Sequence, residues 1–178
     1  MQQTLLAILA MALAVTFSFS NQTKYVTTGQ ELIKAELQEM AGAVAVEALE
    51  IIRSRSFDQA ILDGEEISDP SDFTFVSSGN HFSGGRDCQP FGGPDACEAV
   101  EHFHEMVTAI HPFQISQDTF HFSIEIEVYY VDVLGNKSDV PTNRKKVRAS
   151  VQDAWPDSNR EPFLERPVRL SRVFTYTG

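Results

Sequence analysis

From Thr4 to Phe19 the chain carries no charged side chain, and the first ionisable group after its start is Lys24. No proline occurs before Pro70, and only Gly29 and Gly42 precede Gly64. Each of those glycines weakens a helix by roughly 1 kcal/mol relative to alanine. The opening is therefore a helix, apolar over a run slightly short of the ~20 residues that cross a bilayer core. Behind it, from Gly29 to about Arg55, Ile33, Leu37, Met40, Val44, Ala48 and Ile51 recur at steps of three and four. That spacing marks one face of an amphipathic helix. Glu31, Lys34, Glu36, Glu39, Glu47, Glu50 and Arg53 lie off the stripe. One helix from the start to about Ser54 is about 80 Å long at ~1.5 Å per residue, too long to bury against one small head. Its first half must find an apolar environment elsewhere, in lipid or in copies of itself.

Three readings of the opening compete. A secretory signal peptide needs a positive leader, and Met1-Gln2-Gln3 supplies none; its cleavage site would be the weak Ser18-Phe19-Ser20. An uncleaved anchor also normally carries Lys or Arg on its cytoplasmic flank. A stem whose basic leader has been removed, with Met1 as the processed N-terminus, accounts for the missing charge, and that reading is favoured.

The chain has 178 residues and a formal charge of −11. With the stem set aside, roughly 120 residues remain, about the usual size of one domain. The acidic excess argues against nucleic-acid binding, which would show a basic stripe, and suits a solvated, self-repelling surface. Arg144-Lys145-Lys146, followed by Arg148, is the one dense basic cluster, and it reads as a solvated strand start rather than a binding patch.

Asp63–Glu66 and Ser68–Asp72 read as turns; they lack the regular Asp spacing of a calcium loop. Phe73–Val76 has the composition of a short strand. Asp95–Ile110 reads as a helix, with Ala99, Val100, Phe103, Val107 and Ile110 at helical spacing, ended by His111-Pro112. Residues Thr119–Val133 alternate cleanly. Phe120, Phe122, Ile124, Ile126, Val128 and Tyr130 share one face, and His121, Ser123, Glu125, Glu127 and Tyr129 the other. Leu134–Lys137 forms a turn, Lys145–Trp155 alternates again through Val147, Ala149 and Val151, and Arg166–Tyr176 supplies a last strand. Three or four antiparallel strands over the second half of the long helix make an α+β head. The expected division is a stem over 1–28 and a head over 29–178, with the amphipathic helix at 29–55 and the sheet at 119–176.

No nucleophile, base and oxyanion site come together in the sequence, so an enzyme is not the reading. His102, His104 and His111 lack the His-Glu-x-x-His pattern of a zinc site, and no cofactor is implied.

The uncharged Gln2–Ala10 opening, the switch from apolar to amphipathic helix near residues 22–30 and a β-rich head with a late cysteine pair resemble the type IV pilin superfamily, pseudopilins included. In that family a dedicated peptidase cuts a basic leader just before the stem. One position departs: the family's usual glutamate at the fifth mature position is here Leu5. The resemblance implies a non-enzymatic structural subunit, anchored in the cytoplasmic membrane until an inner-membrane assembly machinery polymerises it into an extracellular, cell-surface filament. Its stem would form the filament core through Leu5, Leu6, Ile8, Leu9, Met11, Leu13, Val15 and Phe17, with Ala7, Ala10, Ala12 and Ala14 allowing close approach. Thr16–Gln22, of poorer helix propensity, is the expected site of local unwinding on assembly. The alternative is a minor pseudopilin or a membrane-anchored envelope binding module.

Cys88 and Cys97 bracket a Gly/Pro-rich loop. An export-type stem implies an oxidising destination, where such a pair becomes a disulfide; metal ligation is the rival. Asn136 sits in a glycosylation sequon within the expected turn.

Overall fold

A computed structural model describes residues 2–76, 88, 96–107, 111–115, 118–154 and 162–178. The chain divides into two compact units, Met1–Gln38 and Glu39–Gly178. Helix α1, Gln2–Arg53, runs through both. With no proline to remove a backbone donor, nothing interrupts its hydrogen-bond ladder.

Within the first unit the hydroxyls of Thr16 and Thr23 donate to the carbonyls of Leu13 and Phe19, both at 2.9 Å. The poorer helix formers of Thr16–Gln22 are thus held helical in the single chain. α1 stops at Arg53, where the Ser54 hydroxyl donates to the Ile51 carbonyl at 2.6 Å and a cationic residue occupies the negative end of the helix dipole.

Among the described residues of the second unit, α1 is followed by a short helix α2 (Gln59–Leu62), two 3-10 turns (Pro70–Asp72 and Val100–Phe103) and five strands. These are β1 (Met106–Val107), β2 (His111–Ile115), β3 (Asp118–Tyr130), β4 (Arg144–Asp153) and β5 (Val168–Thr175). These five strands pair antiparallel, in the order β1-β3-β4-β5, with β2 also pairing along β3. The chain is therefore α+β, as the alternating pattern implies.

The inward face reads Phe122, Ile124, Ile126, Val128 and Tyr130 on β3, against Asp153, Val151, Ala149, Val147 and Lys145 on β4. All ten are buried. Ala41, Val44, Ala45, Ala48, Leu49 and Ile52 of α1 are buried too. The buried stripe is rotated slightly from the expected one: Met40 and Ile51 are half-buried, and Ile33 is exposed. Glu50 of α1 pairs with Arg172 of β5.

Two expected elements do not form. Val100–Phe103 forms a single 3-10 turn where a helix over Asp95–Ile110 was expected; residues 95 and 108–110 lie outside the described residues. Glu105, at φ 57°, then turns the chain into β1. The apolar positions fit a helix, but Met106–Val107 and His111–Ile115 gain more by completing the ladder of β3, and Pro112 is tolerated because β2 is an edge strand. Phe73–Val76 is not a strand. Phe73 is buried against the rings of Phe57 and Tyr176, at 5.1 and 5.3 Å between centroids.

The turn expected at Leu134–Lys137 forms. Asp132 accepts the backbone N–H groups of Leu134 and Asn136 at 2.8 and 2.9 Å, and Gly135 adopts φ 87°, a conformation that suits glycine.

Candidate functional site

Two places concentrate chemistry, one in each unit. In the first, Leu9, Met11, Leu13, Val15 and Phe17 are 53–72% exposed. Phe19, outside the expected core set, joins them at 64%. The backbone of Leu5, Leu6 and Ile8 is helical, while their side chains and Met1 lie outside the described residues. A charge-free helix with aliphatic and aromatic groups all round is an apolar surface of the kind that marks an interaction site. Among the described residues, no helix is long and apolar enough to cross a membrane.

The second place is buried. Lys145, expected to be a solvated residue at a strand start, is fully enclosed. It is in phase with Val147, Ala149 and Val151, so the pleat that buries them buries it as well. Its Nζ has three N–H donors, and three acceptors meet it: the Phe57 carbonyl at 2.7 Å, Asp58 Oδ2 at 2.5 Å and Glu101 Oε2 at 2.7 Å. The side chains of Lys145, Asp58 and Glu101 have no exposed surface. The rings of Phe57 and Tyr130 stand 4.7 and 5.2 Å from the ammonium, where their π faces attract it.

Each partner is positioned locally. Asp58 caps α2: its Oδ1 accepts the Ala60 N–H at 3.1 Å, together with the Thr74 N–H at 3.0 Å and the Thr74 hydroxyl at 2.7 Å. The Tyr130 hydroxyl lies 3.0 Å from Asp58 Oδ2 and 2.8 Å from the Thr74 carbonyl, so that one proton serves two acceptors. Glu101 sits in the 3-10 turn, its Oε1 accepting the Gln59 N–H at 2.5 Å. The segment leading to it is pinned beside the end of α1 by Ser56 N–H to Glu98 O and Val100 N–H to Ser56 O, both 3.0 Å.

The two carboxyls diverge. For Asp58 the largest influence is burial, which raises its pKa, but the Lys145 charge and the Thr74 hydrogen bonds outweigh it and hold the group below its ordinary value. For Glu101 burial prevails over the Lys145 charge, with Asp58 adding repulsion, and its pKa is raised. Burial next to Asp58 likewise raises the Tyr130 phenol. The centre is thus an ammonium between two carboxyls whose pKa values are pushed in opposite directions.

Cys88 and Cys97 are joined by a disulfide with Cα atoms 5.0 Å apart, and Cys97 is fully buried. The bond anchors the start of the segment that delivers Glu101. His102 Nδ1 accepts the N–H groups of Glu98 and Ala99 at 3.3 and 3.4 Å, and His104 Nδ1 accepts that of Val128 at 3.1 Å. The side chain of His111 is outside the described residues. Among the described residues no three His, Cys, Asp or Glu side chains are grouped to hold a metal. Asn136 is exposed, and its Nδ2 donates to Asp132 at 3.1 Å. The carboxylates of Asp69 and Asp72 accept backbone N–H groups of their own loop.

Comparison with protein families, with curated proteins and with solved structures finds no match. What the fold defines is a pilin-like architecture, a long N-terminal helix whose later part packs on an antiparallel sheet.

Proposed function

We propose that this chain is a structural subunit of a type IV pilus-like filament and polymerises through the first half of α1. The observation that carries the reading is the exposed, charge-free surface of Leu9, Met11, Leu13, Val15, Phe17 and Phe19. Copies of the same helix are the partner that best fits it. They are equally apolar, and Ala10, Ala12 and Ala14 permit close backbone approach. The acidic remainder of the chain forms the outer shell and stays solvated. Before assembly the stem resides in the cytoplasmic membrane, where a prepilin-type peptidase and an inner-membrane assembly machinery act on it; the finished filament is extracellular. Its role is mechanical rather than catalytic.

The test is assembly of the full chain on removal of detergent, followed by sedimentation and electron microscopy. The wild type should pellet as filaments. Leu13→Glu and Phe17→Glu should remain in the supernatant with an unchanged thermal transition of the head. A wild type that stays monodisperse, or variants that still polymerise, would sink the reading.

A further inference from the structure

Lys145, Asp58 and Glu101 form more than an ion pair with a spectator. An amine nitrogen lies 2.5 Å from one oxygen of a carboxyl group. The other oxygen of that group is held by three donors, Ala60 N–H, Thr74 N–H and Thr74 Oγ–H. A second carboxyl, Glu101, touches the same nitrogen at 2.7 Å. An amine beside a carboxyl, donors on the far oxygen and a second carboxyl at the nitrogen are the groups that acyl transfer uses, and here the three side chains are shut away from water.

We propose that Lys145 and Asp58 condense to an intramolecular amide, with Glu101 as the group that moves the protons. A proton passes from the Lys145 ammonium to Asp58 Oδ2, leaving a neutral amine and a neutral acid. The Nζ lone pair forms a bond to Asp58 Cγ, and the Cγ–Oδ1 π pair moves onto Oδ1, where the three donors stabilise it. Glu101 takes a proton from the attacking nitrogen and returns one to Oδ2. The Cγ–Oδ2 bond breaks, the carbonyl at Oδ1 re-forms, and Oδ2 leaves as water. The sum is ammonium plus carboxylate giving amide plus one water; Glu101 ends as it began, and no oxidant or co-reactant is consumed.

Three features drive the step in this direction. The reactants are held in contact, so no association entropy is lost at the transition state. The product replaces two buried charges with a neutral amide, which relieves their desolvation cost. Glu101, 2.7 Å from the attacking nitrogen, is in place to move its proton. Tyr130, 3.0 Å from Oδ2, is a positioning residue. It aims the leaving oxygen and, with Phe57, keeps water away. The bond would tie the chain just after α1 to the central strand β4, 87 residues further on. The inference does not depend on polymerisation.

The experiment is mass spectrometry of the full wild-type chain and of its proteolytic peptides under denaturing, disulfide-reducing conditions. The intact mass should be lower by one water, and one cross-linked peptide pair should contain Asp58 and Lys145. In Glu101→Gln, which keeps the side chain's size, the cross-linked fraction should drop at least tenfold while the circular dichroism stays native. In Lys145→Arg it should vanish. A folded wild type of unaltered mass overturns the proposal and leaves a buried ion cluster. A cross-link that persists in Glu101→Gln overturns the role given to Glu101, and one that persists in Lys145→Arg overturns the assignment of the bond.

Discussion

Lys145 shows how one residue escapes its apparent class. By type it belongs with its neighbours Arg144 and Lys146 on the surface; by phase it belongs with Val147, Ala149 and Val151 inside. Phase prevails, because a one-residue slip of β4 would carry every apolar side chain of the strand to the wrong face. The ammonium is then satisfied by Asp58, Glu101 and the Phe57 carbonyl. Lys145→Met leaves two carboxyls buried without their cation and should destabilise the head by about 3–5 kcal/mol in denaturant unfolding, with Glu101→Gln added to it recovering part of the loss. Gly135 is a smaller case. Its φ of 87° is strained for any residue with a Cβ, so Gly135→Ala should cost about 1 kcal/mol, read as a lower midpoint of thermal unfolding. Tyr130 was legible in the inward face of β3, whereas Lys145, although in phase with the buried residues of β4, reads by its basic neighbours as solvated. Glu101 was not, since nothing in a 3-10 turn indicates that a carboxylate faces inward.

Among the elements, the strands were the most legible and the segment before them the least. The long alternation of β3 depends only on neighbours two apart, and so do the pleats of β4 and β5. Residues 95–110 satisfied a helical spacing equally well, but the free edge of β3 offered backbone hydrogen bonds that a lone short helix could not match. The junction of α1 with the sheet rests in part on Glu50 and Arg172. The hydrogen bond from Arg172 is the largest cause that holds Glu50 below its ordinary value of 4.5. A carboxyl with a lowered folded pKa contributes stability that is present above its unfolded value and lost as pH falls through the folded one. Acid titration of unfolding should therefore show a decline below about pH 4.5 that is shallower in Glu50→Gln and in high salt. The disulfide acts on the segment carrying Glu101. Cys97→Ser should lower stability by about 2–3 kcal/mol, as expected for so short a closed loop, and should reduce cross-linking of Lys145 to Asp58 in the same sample.

For the whole molecule, the first half of α1 and the sheet-bearing unit follow different physics. The first presents apolar groups on its surface; the second buries its own core. Substitutions in Leu9–Phe19 should therefore change association and leave the head's unfolding transition unmoved, whereas substitutions at Lys145, Asp58 or Glu101 should do the reverse. By itself the amino-acid sequence determined what depends on short separations: an unbroken helix without proline, three alternating strands and a cysteine pair across a flexible loop. Only the tertiary structure decided which distant residues meet. Asp58 and Glu101 stand 87 and 44 residues from Lys145, and no local period records such an encounter. It arises because the phase of β4 turns Lys145 inward, and the carboxyls that meet it there are brought by a helix cap and a turn with no pattern of their own.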